Sequence, residues 1–436
     1  MSYRQLVPVL LLTLLAGLFP LLATDAQAEM TPALQRALET SDFPWAAKDG
    51  TLTVWVYFQD KGLEGAQLQR ALDEAEAGLT DKVAWRRGKM KPAGARLVDE
   101  GDLDLHAPYL SAVEATGAVL RRESRWLNAA SFQASPMQIR QISQLPMVDR
   151  VDLVAKFRRP DVPVEAGESL DPADKSETSR WTIDYGANQA AMEQFNVPQV
   201  HEMGYTGQGV VIGMLDSGFR TTHEALNSIP VLAAYDFVND DNNVDNEGDD
   251  PSNANDHGTK TMSTAMGNMP GELVAPAFGA SAILAKTEDV ADEVPIEEDQ
   301  WVAGLEWVEA QGADIVSSSL GYSDWYTWAD MDGATAVTTL AGDLAVLRGL
   351  VVVNSAGNER DDAWGHIIAP ADGFHIISVG AVTSSGTYTS FSSPGPSYDG
   401  RIKPDVAALG SQNAVVSSTS NTDYTTASGT SFSCPL

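Results

Sequence analysis

One apolar run of the chain ends in a carboxylate: Val210-Val211-Ile212-Gly213-Met214-Leu215-Asp216. A stretch with helical spacing covers residues 300–311, and further strand-like runs occupy residues 282–286, 313–318, 350–354 and 376–382. Because strands and helices alternate, we predict an α/β fold, a parallel sheet with helices on both faces. Functional groups gather at the carboxyl edge of such a sheet, so Asp216 is expected there.

Two further segments contain what a serine nucleophile needs. His257 opens the segment His257-Gly258-Thr259, and Ser431 lies in Gly429-Thr430-Ser431-Phe432-Ser433-Cys434-Pro435. A serine hydroxyl becomes a good nucleophile when a base takes its proton, and a buried carboxylate orients that base. Asp216, His257 and Ser431 are therefore the candidate orienting acid, general base and nucleophile.

With these motifs the chain resembles a subtilisin-like serine peptidase, a subtilase, from about Val197 to Leu436. The triad has the chain order Asp, His, Ser that subtilisin has. Three more segments match the family in its order: Ala313-Asp314-Ile315-Val316-Ser317-Ser318-Ser319-Leu320-Gly321, Asn354-Ser355-Ala356-Gly357-Asn358 and Ile402-Lys403-Pro404-Asp405-Val406. The resemblance implies a subtilisin-like fold and a serine endopeptidase that hydrolyses peptide bonds through an acyl-enzyme.

The resemblance also implies how the substrate is held. Asn358 would donate its side-chain amide to the oxyanion, together with the backbone N–H of Ser431. The extended substrate would pair with one edge segment, and two segments would form the walls of the first side-chain pocket. The predicted substrate-binding residues are Ser319, Leu320, Gly321, Ala356 and Gly357. Tyr322 stands where the best-known members have a second glycine, so the preferred substrate side chain is not predicted.

Other classes of function remain as alternatives. A catalytically inactive fragment or pseudo-peptidase could act as a binding or inhibitory protein, but it would not need to keep Asp216, His257, Asn358 and Ser431. A lipase or esterase is disfavoured, because no Gly-x-Ser-x-Gly elbow surrounds Ser431. Cys434 is the single cysteine, which excludes an intramolecular disulfide. Since Ser431 holds the position of the nucleophile, we expect Cys434 to be a buried, structural thiol.

The N-terminus has the features of an export signal. Arg4 gives a short basic region, residues 6–22 are nearly all apolar, and Ala26-Gln27-Ala28 is a small-x-small cleavage site. These features predict a signal peptide at residues 1–28 and a secreted protein, extracellular or at the cell surface. The alternative, an uncleaved membrane anchor, is disfavoured because the apolar run is marginal for spanning a bilayer. No membrane contact is expected after cleavage.

Residues 29–160 have a strand and helix pattern of their own. Apolar residues alternate over residues 52–58, a strand is predicted at residues 126–132, and residues 148–154 suggest a closing strand. Ser135-Pro136 predicts a helix start. This β-α-β-β-α-β-like order resembles the small α+β, ferredoxin-like pro-segment of subtilases, which implies an intramolecular chaperone and inhibitor. The stretch between Gly88 and Leu120 is not assigned.

The chain then changes in composition. Residues 161–180 are rich in proline and acidic residues and poor in large apolar ones, which predicts an exposed acidic linker. The peptidase domain is predicted at residues 181–436. In subtilases a long buried helix follows the nucleophile, whereas this sequence ends at Leu436. We therefore expect a C-terminally truncated fragment of a longer product, inactive by itself; the alternative is a natural truncated relative.

Composition restricts the class of partner. The chain has 60 Asp and Glu against 28 Lys and Arg, a net charge of -32. Nucleic-acid binding needs basic stripes and is therefore disfavoured. The expected partners are protein or peptide substrates and the chain's own pro-segment.

The chemistry of the triad requires no cofactor, but calcium is a candidate structural ion. Residues 236–250 are crowded with the carboxylate and amide oxygens that calcium favours, and many subtilases bind it. The segment does not have the EF-hand pattern. A solvated acidic loop is the preferred interpretation, and no metal ligand is assigned.

Overall fold

The computed structural model describes residues 28–39, 50–157, 180–248, 250–290 and 296–436. The predicted signal peptide at residues 1–28 lies outside these ranges except for Ala28. The predicted linker at residues 161–180 lies outside them except for Arg180. The described residues form an N-terminal region, which ends at Phe157, and a C-terminal region, which begins at Arg180.

The N-terminal region has twelve short elements in the described residues. In chain order they are β1 (Glu29–Met30), α1 (Pro32–Glu39), β2 (Leu52–Phe58), α2 (Gly65–Ala77), α3 (Asp81–Gly88), a 3-10 turn (Glu100–Asp102), α4 (Ala107–Glu114), β3 (Val119–Ser124), β4 (Ala129–Ala134), α5 (Pro136–Ile142), β5 (Val148–Leu153) and β6 (Lys156–Phe157). Five of the strands form one sheet in the order β1-β5-β2-β4-β3. The pairs of β2 with β4 and β5, and of β3 with β4, are antiparallel. This arrangement is the predicted ferredoxin-like α+β fold, with β1 added at one edge.

Local sequence signals account for several of these elements. The strand predicted at residues 52–58 is confirmed, and all seven of its residues are buried. The helix predicted to start at Ser135-Pro136 is also confirmed, because the Ser135 hydroxyl accepts a hydrogen bond from the backbone N–H of Gln138 in a capping box. The strand predicted at residues 126–132 lies later, at Ala129–Ala134. The unassigned stretch contains α4 and the 3-10 turn.

The C-terminal region has the alternating elements that the sequence predicts. They are α6 (Gln189–Gln194), α7 (Val197–Glu202), β7 (Val211–Asp216), β8 (Val231–Asp236), α8 (Asp256–Met266), β9 (Asn268–Met269), β10 (Leu273–Val274), β11 (Ser281–Lys286), β12 (Ile296–Glu297), α9 (Glu298–Ala310), β13 (Ile315–Ser318), a 3-10 turn (Trp328–Asp330), α10 (Val337–Leu347), β14 (Val351–Ser355), β15 (Ile377–Val382), β16 (Val406–Leu409), β17 (Asn413–Val416), β18 (Tyr424–Ala427) and α11 (Thr430–Ser433).

Seven of these strands form a parallel sheet in the order β16-β15-β14-β13-β7-β11-β8. Alternate residues of β7 face different apolar clusters. Leu215 packs with residues of α9 and α10, whereas Met214 packs with residues of α8. Because helices cover both faces, every residue of β7 is buried. The predicted parallel sheet with helices on both faces is therefore confirmed.

The N-terminal sheet packs on α9. One face of this sheet packs with α1 and α5 around a separate apolar core. On the other side, Trp55 and Trp126 belong to the apolar cluster that contains Trp301 and Leu305 of α9. The last described N-terminal strand, β6, pairs antiparallel with β12 directly before α9. The N-terminal region thus adds a strand to the C-terminal one.

Four carboxylates of α9 are buried under the N-terminal region. Two of them accept hydrogen bonds mainly from hydroxyl and N–H groups: Trp55 Nε1 donates to Glu298 at 3.1 Å, and Ser124 Oγ donates to Glu306 at 2.5 Å. Burial raises the pKa of Glu298 to about 8 and also raises the pKa of Glu306. Asp299, the third carboxylate, accepts from the Ser131 hydroxyl at 2.6 Å.

The fourth carboxylate, Glu309, is paired with two arginines. Arg87 donates from Nε and Nη2 to its two oxygens at 3.0 and 2.9 Å, and Arg86 donates to one of them. All three side chains are at most 3% exposed. Arg86 also donates to the backbone carbonyl oxygen of Ala313. We call Arg86, Arg87 and Glu309 the arginine clasp.

Candidate active site

The candidate site lies at the carboxyl edge of the parallel sheet, as the strand order requires. Asp216 is the last residue of β7, and Ser319 and Ala356 directly follow β13 and β14. Because the carboxyl ends of parallel strands meet at the same edge, residues far apart in sequence come together there.

Asp216 and His257 form a close pair. The distance from Asp216 Oδ1 to His257 Nδ1 is 2.7 Å, and Asp216 is 1% exposed. Asp216 also accepts hydrogen bonds from the Ser217 N–H at 2.7 Å and from the Thr261 hydroxyl at 3.0 Å. An ionised carboxylate only accepts, so this contact requires a proton on His257 Nδ1, and in the neutral imidazole of that tautomer Nε2 is the acceptor. Among the described residues, Nε2 has no hydrogen-bond partner.

Ser431 lies in the first turn of α11, after a turn that requires glycine. Gly429 has φ 143° and ψ 156°, a conformation that only glycine adopts readily. The turn presents Ser431 at the sheet edge, where it is 5% exposed. The ring of Phe432 lies 5.7 Å from that of His257, centroid to centroid. The local motif and the sheet thus bring the first turn of α11, which contains Ser431 and Phe432, next to His257.

The Ser431 hydroxyl is hydrogen-bonded to the substrate-edge segment rather than to His257. Its Oγ donates to the carbonyl oxygen of Ser319 at 3.3 Å, and Ser319 Oγ donates to the carbonyl oxygen of Ser431 at 2.8 Å. Catalytic hydrogen bonds are often made only when a substrate is bound. A rotation about the side chain of Ser431 is therefore needed to reach Nε2.

Asn358 is oriented by the residue before the nucleophile. Thr430 donates to Asn358 Oδ1 from its backbone N–H at 2.9 Å and from its hydroxyl at 3.0 Å. Two donors identify that atom as the amide oxygen, so the NH₂ group points away from Thr430. The side chain of Asn358 is half-buried.

The predicted substrate-binding residues lie on two neighbouring segments. The first segment, Ser319 to Gly321, follows β13, and the second, Ala356 to Gly357, follows β14. The Asn354 side chain ties them together, since its Nδ2 donates to the carbonyl oxygen of Leu320 at 2.9 Å. The two segments are adjacent, as the predicted pocket walls must be.

With this geometry in place, the family can be assigned. Residues 207–436 match the model of the Subtilase family, Peptidase S8. The chain belongs to the subtilase family. Residues 53–167 match the model of the Peptidase S8 propeptide domain of Bacteroidota. The resemblance drawn from the motifs is therefore confirmed, and it extends to a subtilase pro-segment.

Individual subtilases are similar to this one at moderate identity. Subtilisin E of Bacillus subtilis is 33% identical over 213 residues, which cover 48% of this chain and 50% of subtilisin E. Subtilisin DY of Bacillus licheniformis is 30% identical over 259 residues, 58% of this chain and 81% of its own. An "Extracellular protease" of Xanthomonas campestris pv. campestris is 27% identical over 354 residues, 74% of this chain and 55% of its own. The chain thus spans about half the length of several curated relatives that it matches.

Sequence reasoning missed three residues of the site. Thr261 lies one helical turn after His257 on α8, so the i, i+4 spacing was a usable signal. Glu288 follows β11, and its carboxylate lies within 4.8 Å of the ligand atoms of Asp216 and His257. Glu359 follows Asn358 directly, is 4% exposed, and has its pKa raised to about 7 by burial.

The single cysteine and two of the other histidines lie outside the triad. Cys434 is buried, as expected, and burial raises the pKa of its thiol to about 12. His201 is a packing residue, stacked on Tyr185, while His375 is exposed and lies beside Asp343.

The acidic loop is partly neutralised by a lysine of the sheet. Asp236, Asp241 and Glu247 have ligand atoms within 4.8 Å of one another. However, Lys286 lies 2.8 Å from Asp236 and 2.7 Å from Asp250. Asp236 is thus already paired with a cation, and calcium stays only a candidate ion for this loop.

None of the helices in the described part of the chain has the length and apolar character that crossing a bilayer requires.

Proposed function

We propose that this subtilase is a secreted serine endopeptidase precursor that hydrolyses peptide bonds in proteins through Asp216, His257 and Ser431. One observation carries the proposal: the 2.7 Å contact between His257 Nδ1 and a buried carboxylate whose two oxygens accept further hydrogen bonds. This contact supports a neutral His257 whose Nε2 acts as the base for Ser431.

The proposed reaction follows from these positions. His257 Nε2 takes the proton of the Ser431 hydroxyl as its oxygen attacks the substrate carbonyl carbon. Asp216 stabilises the imidazolium that forms. His257 then gives the proton to the leaving amine, and the acyl-enzyme is hydrolysed by a water molecule that His257 activates in the same way. Each step uses groups of this chain and water, so we propose that the chemistry needs no cofactor.

Labelling of Ser431 with a fluorophosphonate, in the peptidase expressed from its complete coding sequence, tests this proposal. The reagent needs an activated serine and no particular peptide sequence. Labelling that depends on Ser431 and His257, together with peptide hydrolysis, supports the enzyme. Labelling without any hydrolysis, or no labelling of a folded protein, would favour the pseudo-peptidase that acts as a binding protein.

The oxyanion role of Asn358 gives a separate prediction. Asn358→Ala is expected to lower kcat by about 10²- to 10³-fold while leaving KM close to its original value, because the oxyanion exists in the transition state and not in the bound substrate. Steady-state kinetics on a soluble peptide measures both parameters. Full turnover in the variant would contradict the assignment. Asn354→Ala, which disrupts a nearby backbone tie, controls for general damage to this edge.

We also propose the roles of the remaining regions. Residues 29–160 would act as an inhibitory pro-segment, and residues 161–180 would be the linker that is cleaved to release residues 181–436. The strand that β6 adds to β12 and the buried carboxylates of α9 support tight binding of the pro-segment. The signal-like residues 1–28 and the extracellular relative of Xanthomonas campestris support secretion.

The buried carboxylates predict that pro-segment binding depends on pH. The pKa of Glu298 is about 8 under the pro-segment and falls towards its ordinary value of 4.5 once water reaches it. Binding therefore takes up a proton between these two pH values. The contribution of Glu298 to the free energy of pro-segment binding is fully present below pH about 4.5 and is lost as the pH rises through about 8. Glu306, whose pKa burial under the pro-segment also raises, acts in the same direction.

We expect the dissociation constant of the pro-segment to rise between pH 6 and pH 8, by up to about tenfold per pH unit for each proton. Calorimetric titration of an inactive Ser431→Ala peptidase with separately produced pro-segment avoids digestion. Glu298→Gln is the matched control, since it keeps the hydrogen-bonding shape and cannot ionise. A lower dissociation constant at pH 8 than at pH 6 would contradict this linkage. So would a Glu298→Gln variant whose dissociation constant changes with pH as much as that of the unaltered protein.

A further inference from the structure

A third chain segment lies between the two walls of the first pocket. Ile368 donates its backbone N–H to the carbonyl oxygen of Ala356 at 3.3 Å, on the second wall. Tyr322, which directly follows the first wall, donates its N–H to the carbonyl oxygen of Ala369 at 2.8 Å. The backbone at residues 368–369 is therefore held by both walls at once.

The side chain of Ile368 contacts the glycine of each wall. A methyl group built on Gly321 would lie 2.2 Å from Cδ1 of Ile368, and one built on Gly357 would lie 3.1 Å from its Cγ1. Atoms this close leave no space between the glycines and the isoleucine. Ile368 is 2% exposed and belongs to the main apolar cluster. Its position is thus set by packing on several sides.

The remaining neighbour of Gly357 is a carboxyl group. A methyl group on Gly357 would lie 2.1 Å from Oε2 of Glu359, and the Ser393 hydroxyl donates to the same oxygen at 2.8 Å. The second wall is therefore backed by a branched apolar side chain and by a buried acid that Ser393 holds in place. A large substrate side chain that reached Gly357 would have to displace Ile368 or Glu359.

We propose that Ile368 closes the base of the first pocket, so that this peptidase cleaves after residues with small side chains, such as alanine, glycine and serine. The proposal rests on the proposed function, since it concerns the same site. Because both walls have glycine, the side chains behind them limit the depth of the pocket, and Ile368 is the one that contacts both walls. A phenylalanine side chain would have to displace Ile368 from a close-packed cluster.

The test is a series of peptides that differ only in the residue before the scissile bond, with alanine, phenylalanine or lysine there. The peptidase is expressed from its complete coding sequence, with its own pro-segment. We expect kcat/KM for the alanine peptide to exceed that for the phenylalanine and lysine peptides by about tenfold or more. Equal or faster cleavage of the phenylalanine peptide would overturn the proposal. Preference for the lysine peptide would also overturn it and would point to Glu359 as the selecting group.

A pair of variants tests Ile368 itself. Ile368→Ala is expected to raise the phenylalanine-to-alanine ratio of kcat/KM by about tenfold or more. Ile367→Ala removes the same atoms from a neighbour that is also fully buried, and it should leave the ratio unchanged. A ratio that Ile367→Ala changes as much as Ile368→Ala would refute the role of Ile368. If Ile368→Ala does not fold, the peptide series on the unaltered enzyme still tests whether small side chains are preferred. Fluorophosphonate labelling of Ser431 tests the proposed function independently of this pocket.

Discussion

Replacing Ser431 or His257 by alanine is expected to abolish peptide hydrolysis, with a loss on the order of 10⁶-fold in kcat for either change. The two residues act as one unit, because the hydroxyl is a weak nucleophile without the base and the base has nothing to activate without the hydroxyl. The double variant should therefore be hardly slower than either single variant. Additive losses would show that the residues do not act together.

Asp216→Asn should cost less than either of these changes, but still several orders of magnitude. An amide at this position can donate to Nδ1, which favours the tautomer that carries its proton on Nε2. Single-turnover hydrolysis of a peptide ester measures all of these losses. Thr261→Val serves as a milder control, since it removes one hydrogen bond to Asp216 and keeps the carboxylate. A Ser431→Ala enzyme that hydrolysed the ester at nearly the rate of the unaltered enzyme would exclude the proposed nucleophile.

Removing the charge of Glu309 is expected to weaken binding of the pro-segment by about 10²- to 10³-fold. Glu309→Gln leaves Arg86 buried in the complex without its carboxylate, whereas Arg87 keeps Asp102 at 3.0 Å. Breaking a buried pair in this way typically costs about 3–5 kcal/mol. The inhibition constant of separately produced pro-segment measures the loss. Titration of active sites with fluorophosphonate corrects for differences in the amount of active enzyme.

The same interface offers a matched control for the arginine clasp. Lys82 lies 2.7 Å from Asp314, but these side chains are 34% and 21% exposed. Water screens such a pair, so Lys82→Ala should weaken binding by less than about fivefold. If Glu309→Gln and Lys82→Ala had similar small effects, burial would not be the source of the binding energy of the clasp.

Local sequence was sufficient for the parts of this protein that depend on neighbouring residues. The apolar run up to Asp216 predicts a strand because five of the six residues from Val210 to Leu215 are large and apolar. The helix cap at Ser135 involves a residue only three positions later, Gln138. The turn before Ser431 needs the backbone freedom of Gly429. Motifs of this kind identified the family and proposed Asp216, His257, Asn358 and Ser431 before any distance was known.

The position of one strand shows where local patterns fail. Residues 126–132 have the apolar character of a strand, yet the strand begins at Ala129. The N–H groups of Arg125 and Trp126 donate to Glu306 of α9 at 3.1 and 3.3 Å, and these bonds hold the preceding residues in a turn. The acceptor lies 180 residues later in the chain, so no local pattern predicts it.

The sequence by itself determined the class of the fold, the family and the candidate catalytic residues, because short motifs with fixed local geometry are sufficient to identify each of them. Only the tertiary structure decided which side chains meet between the motifs. Gly321, Gly357 and Ile368 come together at the proposed first pocket, and Arg86 and Glu309 meet across the two regions. The physical reason is that close packing and buried charge pairs depend on distances between elements, which composition and spacing along the chain do not contain.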